Sequence, residues 1–299
     1  MPPLYDGPMI FDDLNHRPLI VAAATPLTDG GARLDLDAVP GYVGFLESHG
    51  ADGAFVCGTT GEGVLLTLDE RRAAALAWRS ALSGRLIVHA GAQTTADSVT
   101  LAAHAADAGA NAVALIAPPY FALDADALTA HFVATARACA PLPFFCYAFA
   151  ARSGYPLPVE VIRRVGEEVD NLAGLKVSES PFEKVAPYLE LGLPVLIGSE
   201  PMIPAGVAAG ALGTVSGMAA AFPDVVRAAL DDPDPAAEVR LRHLRSVLEA
   251  SGQFIAAGKW ALGLRGVGVG PDMRAPLRRL RRDESDALEE ALRPFIAVD

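Results

Sequence analysis

The feature that most constrains this chain is an alternation. Between residues 19 and 223, short apolar runs rich in β-branched and aromatic residues take turns with longer stretches of helical period. The runs cover residues 19–23, 54–57, 86–90, 112–116, 144–147, 172–177, 195–197 and 213–216. Each is apolar at successive rather than alternate positions, so both faces are expected to be covered, as in parallel strands flanked by helices. Helices are expected over residues 37–48, 68–82, 96–108, 124–139 and 158–169. Asp35 or Asp37 is placed to cap the first. Thr67 followed by Glu70 forms a capping box for the second. Pro158 opens the last of these, where its missing N–H costs nothing.

Strand–helix alternation of this kind means a parallel sheet. Eight such units match a closed (β/α)₈ barrel, an α/β fold, in number and length. An open doubly wound sheet has the same periodicity and is the alternative. The expected organisation is a lead-in over residues 1–18, a barrel over 19–223 and a helical C-terminal domain over 224–299. In the last, helices are expected at 235–251, 253–264 and 284–293, packed on the barrel or on another subunit. The glycine-rich stretch 263–270 follows no strand and does not fit a dinucleotide loop.

Composition narrows the partners. The chain of 299 residues carries a net charge of -12, with 24 basic and 36 acidic residues. That balance argues against nucleic acid and anionic membrane surfaces. Cys57, Cys139 and Cys146 cannot all pair, and buried reduced thiols in a cytoplasmic protein are the simplest account. No basic-then-apolar leader opens the chain. No apolar stretch of about 18 residues free of charges and turn breakers reads as a membrane span. The six histidines are scattered, without a pair at metal-ligand spacing, so no metal or cofactor is expected. His89 reads as a satisfied strand histidine.

Catalytic groups in a barrel come from the C-terminal ends of several strands. Those ends hold Thr25, Thr59, Thr60, Tyr120, Tyr147, Lys176, Ser199, Glu200 and Ser216. Lys176 stands out because it interrupts an apolar run. A buried ammonium must find a partner or shed its proton, and the neutral amine attacks carbonyls. The chain's other lysines are Lys184, in a polar helical stretch where it is expected to be solvated, and Lys259. Gly58-Thr59-Thr60-Gly61-Glu62 offers a tight turn with amides and two hydroxyls for a carboxylate; it reads equally as a plain strand-to-helix turn with Glu62 bonded locally. Tyr147 is one strand from Lys176 in sequence order and can relay a proton, or serve as a core aromatic.

Four of these stretches together resemble a known family. Gly58-Thr59-Thr60-Gly61-Glu62, Tyr147 followed by Arg152-Ser153-Gly154, Gly174-Leu175-Lys176, and Gly213-Thr214-Val215-Ser216-Gly217 occur in the order seen in the dihydrodipicolinate synthase/N-acetylneuraminate lyase family. The likeness continues more weakly through Lys259-Trp260-Ala261. It implies a (β/α)₈ barrel with a C-terminal helical domain, assembled as a homotetramer or homodimer. It implies a Schiff-base lyase or aldolase acting on pyruvate or another 2-oxo acid and an aldehyde. By motif match, Lys176 is the Schiff-base lysine, Tyr147 the proton shuttle and Thr59 its aligning partner. Thr60 then binds the substrate carboxylate, Val215 approaches the pyruvyl group, and Arg152 lines the site of the second substrate.

Three positions depart from the synthases of this family. Phe121 stands where a second tyrosine would reach a neighbouring subunit's site. Val177 replaces the usual acid after the lysine. Ala148-Phe149-Ala150-Ala151 lacks the usual asparagine and proline. The readings that follow are a Schiff-base lyase of unspecified aldehyde, a 4-hydroxy-tetrahydrodipicolinate synthase supported by Arg152 and opposed by Phe121, and an aldolase or dehydratase of 2-keto-3-deoxy sugar acids. In the third, Ser178, Ser199, Glu200 and Ser216 would bind a polyol. A non-catalytic 2-oxo acid sensor is the reading of another class, and Lys176 and Tyr147 together argue against it.

Overall fold

The computed structural model describes residues 10, 11 and 16–296. Eight parallel strands close into a barrel: β1 (Leu19–Ala22), β2 (Gly53–Val56), β3 (Arg85–His89), β4 (Ala112–Ile116), β5 (Phe144–Ala148), β6 (Leu172–Val177), β7 (Val195–Ile197) and β8 (Gly213–Ser216). The expected strands are found, each within one residue at either end. Ile20 pairs with Val215 of β8 on one side and with Gly53 of β2 on the other, which closes the sheet and excludes the open alternative.

A principal helix follows each strand: α1 (Val39–Ser48), α2 (Leu68–Ala81), α3 (Thr95–Asp107), α4 (Ala125–Cys139), α5 (Val159–Glu168), α6 (Ala186–Leu189), α7 (Ile203–Ala208) and α8 (Pro223–Asp231), with one further helical turn over Ala150–Ser153 ahead of α5. The capping box at Thr67 and Glu70 forms in both directions. Neither Asp35 nor Asp37 caps α1 with its side chain. A short 3₁₀ turn over Leu36–Ala38 leads into that helix and takes over the entry. A two-stranded antiparallel ribbon, Leu27–Thr28 with Arg33–Leu34, lies outside the barrel.

The period of two in each strand separates two cores. Inward-facing Ile20, Phe55, Ile87, Ala114, Phe145, Leu196 and Val215 fill the barrel, and Phe11 joins this cluster. Outward-facing Leu19, Val56, Val88, Leu115 and Ile197 pack with helix residues such as Leu46, Trp78, Leu101 and Phe132. The three cysteines are buried and unpaired. Most of the expected lead-in lies outside the described residues. Among the described residues, no helix is long and apolar enough to cross a membrane.

After α8 come α9 (Pro235–Glu249), α10 (Phe254–Leu264) and α11 (Arg282–Ile296). They are tied to the barrel by charge. Lys259 on α10 donates to Glu62 Oε1 at 2.5 Å and to the Asp272 carbonyl at 2.7 Å. The other Glu62 oxygen accepts the Arg274 amide at 2.7 Å. Both side chains of this pair are fully buried. Glu62 therefore does not bond only within its turn; it anchors the turn after β2 to a helix 197 residues away.

A buried pair with every oxygen engaged is costly to break from one side, because the surviving charge loses its partner. Lys259→Met is expected to destabilise the fold by about 3–5 kcal/mol, read as a shift in chemical-denaturation midpoint. Lys259→Met with Glu62→Gln is expected to recover much of that loss. Equal stability of the two variants would show that the pair does not hold these layers together.

Candidate active site

The C-terminal ends of the strands surround a cavity of about 590 Å³. Lys176 lies at its base, on the inner face of β6, with only 4% of its surface exposed. Its direction follows from the local backbone. The β5–β6 register slips by one residue between Phe144 and Phe145, so Gly174 falls opposite Phe145 and Lys176 opposite Tyr147. Gly174 is required there, because a Cβ would sit 2.5 Å from the Phe145 ring and 2.8 Å from the Pro194 carbonyl. The Phe145 ring thus occupies the space beside Gly174, and Lys176 emerges above it.

The amine is held by aromatic faces and, among the described residues, by no acid in contact. Nζ lies 3.9 Å from the Phe55 ring centre and 4.2 Å from that of Tyr147. Loss of solvation drives its pKa down from 10.5 to about 7, and the Glu200 carboxylate opposes part of that fall. Burial pushes the Tyr147 hydroxyl up to about 12, with the Ser178 and Thr59 hydroxyls and Arg152 pulling the other way. Ser178 Oγ is 3.5 Å from the Tyr147 oxygen. Near neutral pH the site therefore holds an amine that can shed its proton beside a protonated phenol.

Of the expected site residues, Lys176, Tyr147, Thr59, Thr60, Arg152, Ser178, Ser199, Glu200 and Val215 all line this cavity. Ser216 does not. It is fully buried and donates to Glu200 Oε1 at 2.9 Å. Glu200 is itself engaged: the Met218 amide donates to Oε1 at 3.0 Å, and Arg245 to Oε2 at 2.9 Å. Thr25 lies outside the lining and donates to the Gly61 carbonyl at 2.6 Å, bracing the turn after β2. Tyr120 and Phe121 stand against each other on the surface, 86% and 70% exposed.

Other residues join the lining without a local sequence signal. Glu179 is buried and accepts the Ala150 amide at 2.7 Å, which fixes the start of the one-turn helix Ala150–Ser153 that carries Arg152. Arg245 and Glu249 of α9 and Phe254 and Ile255 of α10 close over the mouth. Lys184, exposed as expected, stands at its edge. His89 is buried beside Tyr147, with ring centres 6.0 Å apart. Its Nδ1 lies 3.1 Å from the Cys57 carbonyl. The expectation of a fully satisfied histidine fails, because Nε2 has no hydrogen-bond partner among the described residues.

Glu200 is the charge that holds the Lys176 pKa up, so its removal lowers that pKa further. With Glu200→Gln, the pH at which Lys176 reaches half its maximal rate toward an amine-acylating reagent is expected to fall below about 7, read by peptide mass mapping. An unchanged or higher midpoint would show that Glu200 does not act on the amine.

Comparison with known proteins sets this geometry in a family. Residues 15–294 match the model of the Dihydrodipicolinate synthetase family. The chain is 33% identical over 286 residues to an uncharacterized DapA-like lyase of Halobacterium salinarum, covering 91% of this chain and 92% of the relative. It is 32% identical over 282 residues to a 4-hydroxy-tetrahydrodipicolinate synthase of Corynebacterium aurimucosum, again covering 91% and 92%. The structure of Proteus mirabilis N-acetylneuraminate lyase superposes with a TM-score of 0.86 at 26% identity, covering 95% of this chain and 99% of that one. With the eight-stranded barrel and a family match over nearly its whole length, the chain belongs to the dihydrodipicolinate synthetase family and is an enzyme of that family of lyases.

Proposed function

We propose that the chain is a Schiff-base lyase or aldolase acting on pyruvate or another 2-oxo acid through Lys176. One observation carries the reading: a buried amine with a pKa near 7 shares a cavity with a protonated tyrosine and a threonine pair. Lys176 Nζ adds to the keto carbon, and the oxygen takes a proton from Tyr147. Nitrogen passes a proton through Tyr147 to the hydroxyl, which leaves as water, and an iminium remains. Its positive nitrogen stabilises the enamine formed when C3 loses a proton. That enamine adds to an aldehyde, or is the fragment left by cleavage in the reverse direction. Thr59 and Thr60 receive the 2-oxo acid's carboxylate, and Thr59 also orients Tyr147.

A cytoplasmic homo-oligomer is part of this reading. The exposed Tyr120–Phe121 pair is a face that a second copy would cover. Arg152 supports synthase activity as a second reading, since its guanidinium lines the cavity beside Tyr147. Phe121 has no proton to relay and counts against it. The sugar-acid reading has fewer donors than expected, because Ser216 is turned onto Glu200.

Borohydride reduction in the presence of pyruvate is expected to add a 1-carboxyethyl group to Lys176 and to no other lysine, mapped by peptide mass spectrometry. Tyr147→Phe is expected to slow trapping by roughly 10²–10⁴-fold, the usual contribution of a positioned proton donor. Because only the free amine attacks, the trapping rate should rise with pH through about 7. An unmodified Lys176 would overturn the reading. Efficient turnover of pyruvate with aspartate semialdehyde would select the synthase instead.

A further inference from the structure

Three carboxylates line the cavity that holds Lys176: Glu179, Glu200 and Glu249. Glu179 is turned to the Ala150 amide. Glu249 lies on α9 and pairs with Arg245. Glu200 is the one whose charge reaches the amine, and it acts on the Tyr147 phenol as well. It opens the 3₁₀ turn Glu200–Met202 after β7 and is only 2% exposed.

A buried acid beside a buried amine tends to quench it. Closing to contact would relieve the burial of both charges, and contact restores the ammonium. A lysine paired in that way has no lone pair for a carbonyl. Glu200 is kept from turning by bonds on both of its oxygens. Ser216 Oγ and the Met218 amide donate to Oε1. Arg245 Nη1 donates to Oε2 at 2.9 Å. The guanidinium is itself fixed from the helical side. Its Nε donates to Glu249 Oε1 at 2.9 Å, one turn on along α9, and its carbon stands 5.7 Å from the ring centre of Phe254 on α10.

We propose that Arg245 is a positioning residue: by pairing with Glu200 it keeps that carboxylate off Lys176 and leaves the amine free to react. The proposal rests on the Schiff-base reading and deepens it, placing control of the lysine on a helix outside the barrel. The direction of the effect follows from the surrounding groups. Against the amine stand the Phe55 and Tyr147 rings, the Glu200 carboxylate and His89, whose imidazole is pushed by burial, with Arg71 and Lys176, down to about 3 and so stays neutral. Arg152 bears on Tyr147. Without Arg245, Glu200 keeps two neutral donors, and the cation already coupled to it, Lys176, is left to replace the guanidinium. The amine then holds its proton more tightly.

The test reads the pH at which Lys176 reaches half its maximal acylation rate, in the whole chain and without substrate. Arg245→Met is expected to move that midpoint up from about 7 by roughly 1–3 pH units, the effect of a close opposite charge, so that acylation at pH 7 slows by about fivefold or more. In the Glu200→Gln background, Arg245→Met should leave the midpoint where Glu200→Gln alone puts it. Pyruvate trapping at Lys176 is read in parallel. For Arg245→Met it should be slow at pH 7 and recover toward the wild-type rate by about pH 10, where the amine is again free. If Arg245→Met does not fold, as judged by circular dichroism, Arg245→Gln is read in its place, with a rise of the same sign expected. A midpoint that stays near 7 or falls overturns the proposal. So does an equal rise in the Glu200→Gln background, or a slowing that is the same in both backgrounds and at every pH, which is what a purely structural role would give. If wild type does not trap pyruvate, the Schiff-base reading falls, and the acylation midpoints alone judge whether Arg245 holds Glu200 off the amine.

Discussion

The amine of Lys176 is buried against two aromatic faces, with no acid in contact among the described residues. Three effects meet on that nitrogen. Loss of water destabilises the ammonium. The faces of Phe55 and Tyr147 recover part of the loss through their quadrupoles, and the more distant Glu200 recovers another part. Desolvation wins, and the group titrates near neutrality rather than at 10.5. The cost falls on stability. Between about pH 7 and 10.5 the folded chain binds fewer protons at this site than the unfolded chain, so this contribution rises with pH over that window and is at its worst below it. A buried group that weakens its own fold calls for a functional explanation more than a structural one.

Much of the surrounding architecture reads as support for that placement. The register slip in β6 aims the side chain inward, and Gly174 clears room beside the Phe145 ring. Glu200 is prevented from collapsing onto the amine by Ser216, the Met218 amide and Arg245, which use both its oxygens. The turn carrying Thr59 and Thr60 is braced from one side by Thr25 and from the other by Glu62 on Lys259. The C-terminal helices are thus part of the site: α9 sets the charge near the lysine, and α10 holds the threonine turn and closes over the mouth.

The sequence made the barrel legible because the signal is local. Strand runs and the Thr67 capping box depend on residues within a few positions of one another, and they were found close to where they were expected. The reactive lysine was legible for the same reason, as a charge inside an apolar run. What escaped were long-range pairings. Lys259 and Glu62 are separated by 197 residues, and Arg245 and Glu200 by 45, so no window of the sequence joins them. Ser216 departs from the expected lining because strand-end position alone does not reveal which face a residue takes. On β8 the inward position belongs to Val215, which sends Ser216 outward to Glu200. Nothing in the sequence around His89 marks the ring nitrogen that the packing leaves without a partner among the described residues.

The account stands on the protonation state of one nitrogen, and that state can be observed without substrate. Lysine labelled with ¹³C at Cε and ¹⁵N at Nζ gives three signals in this chain, from Lys176, Lys184 and Lys259. Assigned by Lys176→Arg and followed from pH 5 to 11 by NMR, the Lys176 signal is predicted to titrate with a midpoint near 7. A midpoint near 10.5, the value for an ammonium in water, would contradict the account.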